Sequence, residues 1–466
     1  MSRAVHLNIL LVVLVAIAVN AVQLLRGPLP IPVTDATVYL SIANDLNATG
    51  VFTDGLLALQ GDGAAHPPGM LFAPLYPAFL AVALDLSAGF RGLVDCVVGA
   101  ALAHKAAACR HTVSLVTLAQ GGLAVVSTVL VYLGASVVSG SRLCAWLAML
   151  LAVGTGEYAY YAGQFLTENL TFPLFTAASI LLVWAWRESG AKAWAALGLC
   201  FGLLVLVRPS FLYLFYVVLL CQVALFPSRA PRPMLGKTIA LVSCLAAFGV
   251  VVGPWVLRNW ILLDTAAITD GYSSLILVQR VAYNAMSLHE WLVSFVYWLP
   301  DFGDKLAASL FEPASYVRLS FDDPQGFYLT GNFALRESTL AAAGGTEEHF
   351  GYLIREHILA QPLWHSTVSL ALAWRGMWVG QYWGLVAIAV FLPVLFIAAR
   401  RRWHAFFVYV APAWFMLGFH AFVSVNVVRY NLILIPGLSL AVAWAATQLL
   451  TSGRSRLGPY SRSDPV

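Results

Sequence analysis

Five charged residues stand out because each borders a long apolar run. Asp35 follows the first run, in Pro32-Val33-Thr34-Asp35-Ala36-Thr37-Val38-Tyr39. Glu168 opens another, in Phe165-Leu166-Thr167-Glu168-Asn169. Arg208-Pro209 closes a third, Pro254-Trp255-Val256-Leu257-Arg258-Asn259 closes a fourth, and Val428-Arg429-Tyr430-Asn431 opens the last. Singly, an acid at a helix start is a cap or a dipole partner, and an Arg at a helix end snorkels to the interface. Together they ask for more, because charge beside hydrocarbon is costly and tends to be functional. Arg holds phosphate through a planar, permanently charged fork, and a carboxylate can take a proton from a hydroxyl. Two acids among three Arg at a bilayer surface therefore suit a lipid phosphate and attack on the carbon attached to it, which is sugar transfer from a lipid-phosphate donor.

These residues need a membrane scaffold, and the composition supplies one. Of 466 residues, 60% are hydrophobic and only 10% charged, with mean hydropathy +0.80. A soluble domain carries about 25% charged residues, so soluble enzymes, disordered chains and nucleic-acid binders are excluded. The 15 Trp, 18 Tyr and 26 Phe suit interfacial belts. Apolar stretches near the spanning length fall at 6–25, 112–138, 142–161, 168–187, 192–208, 209–226, 237–257, 383–399, 404–424 and 431–450. The expected fold class is an all-α polytopic helical bundle of about ten spans, one membrane domain over 1–466. Arg3 before the first run suggests a signal peptide, but the run is long and lacks a small-residue cleavage site.

Charge placement orients the chain. With the N-terminus inside, the inner connections hold 13 basic residues against the two acids Glu188 and Asp464. Both termini are then cytoplasmic, and two long segments, 26–111 and 258–382, lie outside. The stretch 301–362 has nine acids and four bases, as an outer segment should. Short apolar runs at 71–86, 291–299 and 363–378 read as helices lying in the outer interface. The alternative makes the last two an extra pair of spans, for twelve. Of the six Cys, Cys144, Cys200, Cys221 and Cys244 fall within apolar runs; Cys96 and Cys109 lie in the first outer segment, where a disulfide is open to them. No GxGxxG, P-loop or HExxH occurs, and His66, His104, His111, His289, His349, His357 and His365 are scattered.

The same residues carry a resemblance to the GT-C glycosyltransferases, the integral-membrane group that includes protein O-mannosyltransferases and the lipid A aminoarabinose transferase. Asp35-x-x-x-Tyr39-x-x-x-Ala43, His66-Pro67-Pro68, Tyr76-Pro77, Thr167-Glu168, Gly202 to Arg208-Pro209, Pro254-Trp255-x-x-Arg258-Asn259 and Arg429-Tyr430…Pro436 resemble that group's elements, in its order, over about 35–440. The resemblance implies a polyprenyl-phosphate-linked sugar donor and a hydroxyl acceptor on a lipid, glycan or protein, transferring with inversion. Arg258, Arg208 and Arg429 would take the donor phosphate, Asp35 would be the base, and Glu168 would position the acceptor or hold Asp35 and an Arg. Tyr39, His66, Tyr76, Asn259 and Tyr430 would line the substrate site. The family often has two adjacent acids where this chain has Asp35-Ala36, which weakens the case for a bridging divalent metal; no cofactor is expected. The expected location is a bacterial inner membrane, with the site facing the periplasm. The competing class is a transporter or flippase of a lipid-linked sugar, which would put charge near the midplane in paired halves; no internal repeat is visible.

Overall fold

A computed structural model describes residues 3–26, 29–30, 32, 34–55, 67–102, 109, 112–226 and 233–452. Among the described residues there are helices and turns and no strand. Hydrocarbon leaves the backbone no water to bond, so helices, which satisfy their own N–H and C=O groups, are the form this composition dictates.

Among the described residues seven helices are long and apolar enough to cross a bilayer: His6–Leu25, Leu115–Ser139, Glu168–Glu188, Pro233–Leu263, Tyr382–Arg400, His404–Val423 and Val428–Thr451. They fall on seven of the ten expected spans. The other three fall on the shorter apolar helices Arg142–Gly154, Ala191–Val207 and Phe211–Ala224. The expected run 142–161 is not one helix. Gly156, at φ 78°, caps a separate short helix, Glu157–Ala162, because a left-handed residue ends the α ladder. Of the runs that would have made twelve spans, Leu288–Tyr297 has 10 residues and Pro362–Gly376 has 15, and neither is among the apolar candidates.

Packing explains the layout. Ala191–Val207 and Pro233–Leu263 lie so close that a Cβ on Gly198 would stand 2.2 Å from the Cys244 carbonyl; small residues allow that approach where lipid gives no hydrophobic drive between helices. Side chains such as Leu10, Leu220 and Val250 are left on the outside of the bundle, where acyl chains would cover them. One rim is marked by basic and indole contacts: Arg187 donates to the Val137 carbonyl and the Trp403 indole to Val138 O. Those residues lie at helix ends that the charge pattern assigns to the inside.

At the opposite rim the described residues of the first outer segment form the helices Asp35–Thr49, Leu75–Leu86 and Ala88–Leu102, and Cys96 and Cys109 are joined by a disulfide. The second forms short helices and turns around an aromatic cluster of its own that includes Tyr283, Trp298 and Phe327. Two buried side chains bind the rim together. The Tyr76 hydroxyl donates to Gln120 Oε1, and Gln120 Nε2 donates to the Ala162 and Gln164 carbonyls.

Candidate active site

Local sequence puts four charges at helix ends on this rim. Asp35 is the first residue of Asp35–Thr49, behind Thr34 at φ 50°, a left-handed conformation that is strained for a β-branched residue. Glu168 is the first residue of Glu168–Glu188. Arg208 ends Ala191–Val207 in an extended conformation (φ −143°, ψ 111°), because Pro209 bars the preceding residue from the helical region. Arg429 sits in a 3-10 segment, Val428–Leu434.

They form one network. Arg208 Nε donates to Thr167 Oγ1 (2.9 Å) and its Nη2 to Glu168 Oε1 (2.6 Å). Arg429 Nη2 donates to Asp35 Oδ2 at 2.6 Å, while its Nε lies 3.3 Å from Glu168 Oε1. Exposure rises outward from Glu168: its side chain is 1% exposed, Arg208 on one side 16%, Arg429 on the other 26%, and Asp35 beyond it 32%. The network is thus buried at Glu168 and open at Asp35. Neither acid holds the cap position of its helix: Thr34 and Thr167 do, and neither makes a side-chain cap bond. Two carboxylates and two guanidiniums balance to zero.

Aromatic rings line it. Tyr430 lies beneath both guanidiniums, at 5.5 Å from Arg208 and 5.6 Å from Arg429. Tyr39, one turn past Asp35, packs edge-on against Phe72 and Tyr76; burial, then the Asp35 carboxylate, hold its phenol protonated well above the usual range. Tyr272 comes from the second outer segment and meets Phe72 at 5.1 Å. Its phenol is also pushed up, by burial first and then by Tyr430 and Asp35. Nothing in the local sequence Asp270-Gly271-Tyr272-Ser273 marked it.

The other expected site residues lie elsewhere. Arg258 does not join the network: Nη1 donates to Gly69 O and Asn259 Oδ1, and Nη2 to Phe52 O. Its guanidinium lies 4.8 Å from the Trp255 ring. Asn259 is fully buried and donates to Ala267 O. The Pro-Trp-x-x-Arg-Asn element therefore pins the neck of the first outer segment, where Gly69 N also donates to Phe52 O. Tyr76 is committed to Gln120 and packs edge-on against Tyr39 beside the network. His66 lies outside the described residues. Among the described residues no group of three His, Cys, Asp or Glu side chains could hold a metal ion.

The class these observations define is a polytopic all-helical membrane protein with a half-buried acid–arginine network at one rim. No family model and no curated protein matches the chain. Among solved structures it is similar to ArnT from Cupriavidus metallidurans bound to undecaprenyl phosphate, at 14% identity and a TM-score of 0.38, over 97% of this chain and 81% of that one. A likeness so distant carries no weight for activity, which must be argued from the site itself.

Proposed function

We propose that the protein is a glycosyltransferase that moves a sugar from a polyprenyl-phosphate donor to a hydroxyl of a lipid, glycan or protein. The observation that carries this reading is the network itself: two guanidiniums and an open carboxylate meet at one membrane rim from three separate helix ends. Arg208 and Arg429 receive the donor phosphate, with Tyr430 as their floor. Asp35 takes the proton from the acceptor hydroxyl. The acceptor oxygen bonds to the anomeric carbon from the face opposite the phosphate. The bond from that carbon to the phosphate oxygen breaks, its electron pair stays on the phosphate, and the configuration inverts. Glu168 fixes both Arg, and Arg258 fixes the loop neck beside them; no cofactor enters the scheme. The site faces the periplasm of a bacterial inner membrane, with both termini cytoplasmic. The segments 26–111 and 258–382 form its outer part. Support for that side comes from the charge pattern and from the Cys96–Cys109 disulfide, a bond that persists in oxidising compartments.

The test is a panel of radiolabelled polyprenyl-phosphate sugars, hexosyl and pentosyl, given to the purified protein in liposomes with a membrane acceptor fraction. Label should reach lipid, glycan or protein from at least one donor, and Asp35→Asn should cut the rate about 10²–10⁴-fold, the usual worth of a general base. Full turnover by Asp35→Asn would remove Asp35 from the mechanism.

A further inference from the structure

The network holds Asp35 in a state unsuited to its proposed task. Asp35 Oδ2 is engaged by Arg429 Nη2 at 2.6 Å, and a carboxylate that takes a proton gives up such an ion pair, so the pairing opposes its action as a base. The two guanidiniums are held unequally. Arg208 is fastened by Glu168 and Thr167. Arg429 has one short bond, to the open acid; its Nε is buried, makes no hydrogen bond and lies 3.3 Å from Glu168.

We propose that Arg429 is an exchangeable counter-ion. In the unliganded protein it restrains Asp35, and the donor phosphate takes it over, so that the base is released only when donor is bound. This rests on the transferase reading above. The charges support the exchange. A guanidinium prefers a phosphate that it can grip with two parallel N–H bonds, and a phosphodiester brings one negative charge to a network whose own charges cancel. Arg429 then serves the phosphate, and Asp35 faces the acceptor. After transfer the acceptor's proton is on Asp35 and the second negative charge is on the departing lipid phosphate, so the total is unchanged. A protonated Asp35 cannot compete for Arg429, and the lipid phosphate stays held. When Asp35 yields its proton to water it again competes for Arg429, which loosens the hold on the lipid phosphate. Donor binding thus precedes acceptor activation.

The exchange makes a prediction that a simple base does not: removing the Asp35 charge should tighten the grip on lipid phosphate. The experiment titrates undecaprenyl phosphate, without sugar or acceptor, into the full-length protein in nanodiscs. Wild type, Asp35→Asn, Arg429→Ala and the double variant are compared, with Arg429→Lys standing in if the Ala variant is not monodisperse. The expected result is about two- to fivefold tighter binding by Asp35→Asn, the worth of a half-exposed ion pair, and no such gain where Arg429 is absent. Equal or weaker binding by Asp35→Asn, with Arg429→Ala still weakened, overturns the exchange and leaves the transferase reading standing. A gain that persists without Arg429 also overturns it, because the cause is then general loss of negative charge. Absence of binding by every folded variant and by wild type removes the transferase reading, and the exchange with it.

Discussion

Glu168 is the most deeply buried charge of the network, and both guanidiniums bear on one of its oxygens. Replacing it with Gln keeps the shape but leaves Arg208 buried without its counter-ion. Breaking a buried pair from one side costs about 3–5 kcal/mol. Glu168→Gln should therefore unfold several degrees below wild type in a detergent thermal-shift assay, whereas Asp35→Asn, at the open end, should unfold close to wild type; the reverse order would misplace the structural acid. These acids and arginines were legible as residues because lone charges interrupt apolar runs, and a run exposes its exceptions. Their pairing was not legible, since Asp35 and Arg429 are 394 positions apart and nothing local links them. Arg258 looked the same as Arg208 and Arg429 for the same reason. Only the folded chain brings the carbonyls of Phe52 and Gly69 to it.

At the scale of elements, Arg258 shows how a helix end governs a loop. Its fork spans two carbonyls on opposite sides of the neck, a reach that a single ammonium cannot reproduce. Arg258→Lys should speed amide exchange at Gly69 and its neighbours by about tenfold, the loss of one charge-assisted bond, while the network above keeps its own pairs; unchanged exchange would show that the neck is held without Arg258. The helical hairpin Arg336–Ala343 and Thr346–Leu353 answers to pH. His349 is buried against Thr339, and burial, then Arg336 and His357, push its pKa below the ordinary value. A histidine whose folded pKa is depressed stabilises when neutral. Its contribution is present above the unfolded value near 6.5 and is lost as pH falls below it. Amide exchange in this hairpin should accelerate on acidification, and His349→Gln should flatten that dependence. Spacing announced most of the long helices but not the break at Gly156, because a run of apolar letters does not show where the backbone turns left-handed.

Across the whole molecule, the rim with Arg187 and Trp403 and the rim with Asp35 and Glu168 are opposite, and the proposed topology places them in cytoplasm and periplasm. A cysteine placed at 401 should resist an impermeant thiol reagent in intact cells and react once the membrane is opened, and labelling in intact cells would invert the topology. Length adds a separate consequence. Pro233–Leu263 runs for 31 residues, about 46 Å at the helical rise, against a hydrocarbon core of about 30 Å. Its outer turns carry Trp255, Arg258 and Asn259, so the clamp on the first outer segment stands at a height that the lipid sets. In a thinner bilayer such a helix tilts or stands further out, and with Ala191–Val207 packed against it the clamp and Arg208 shift together relative to Asp35 and Arg429. Acyl-chain length of the host membrane, with no change in any residue, thereby becomes a setting on this site.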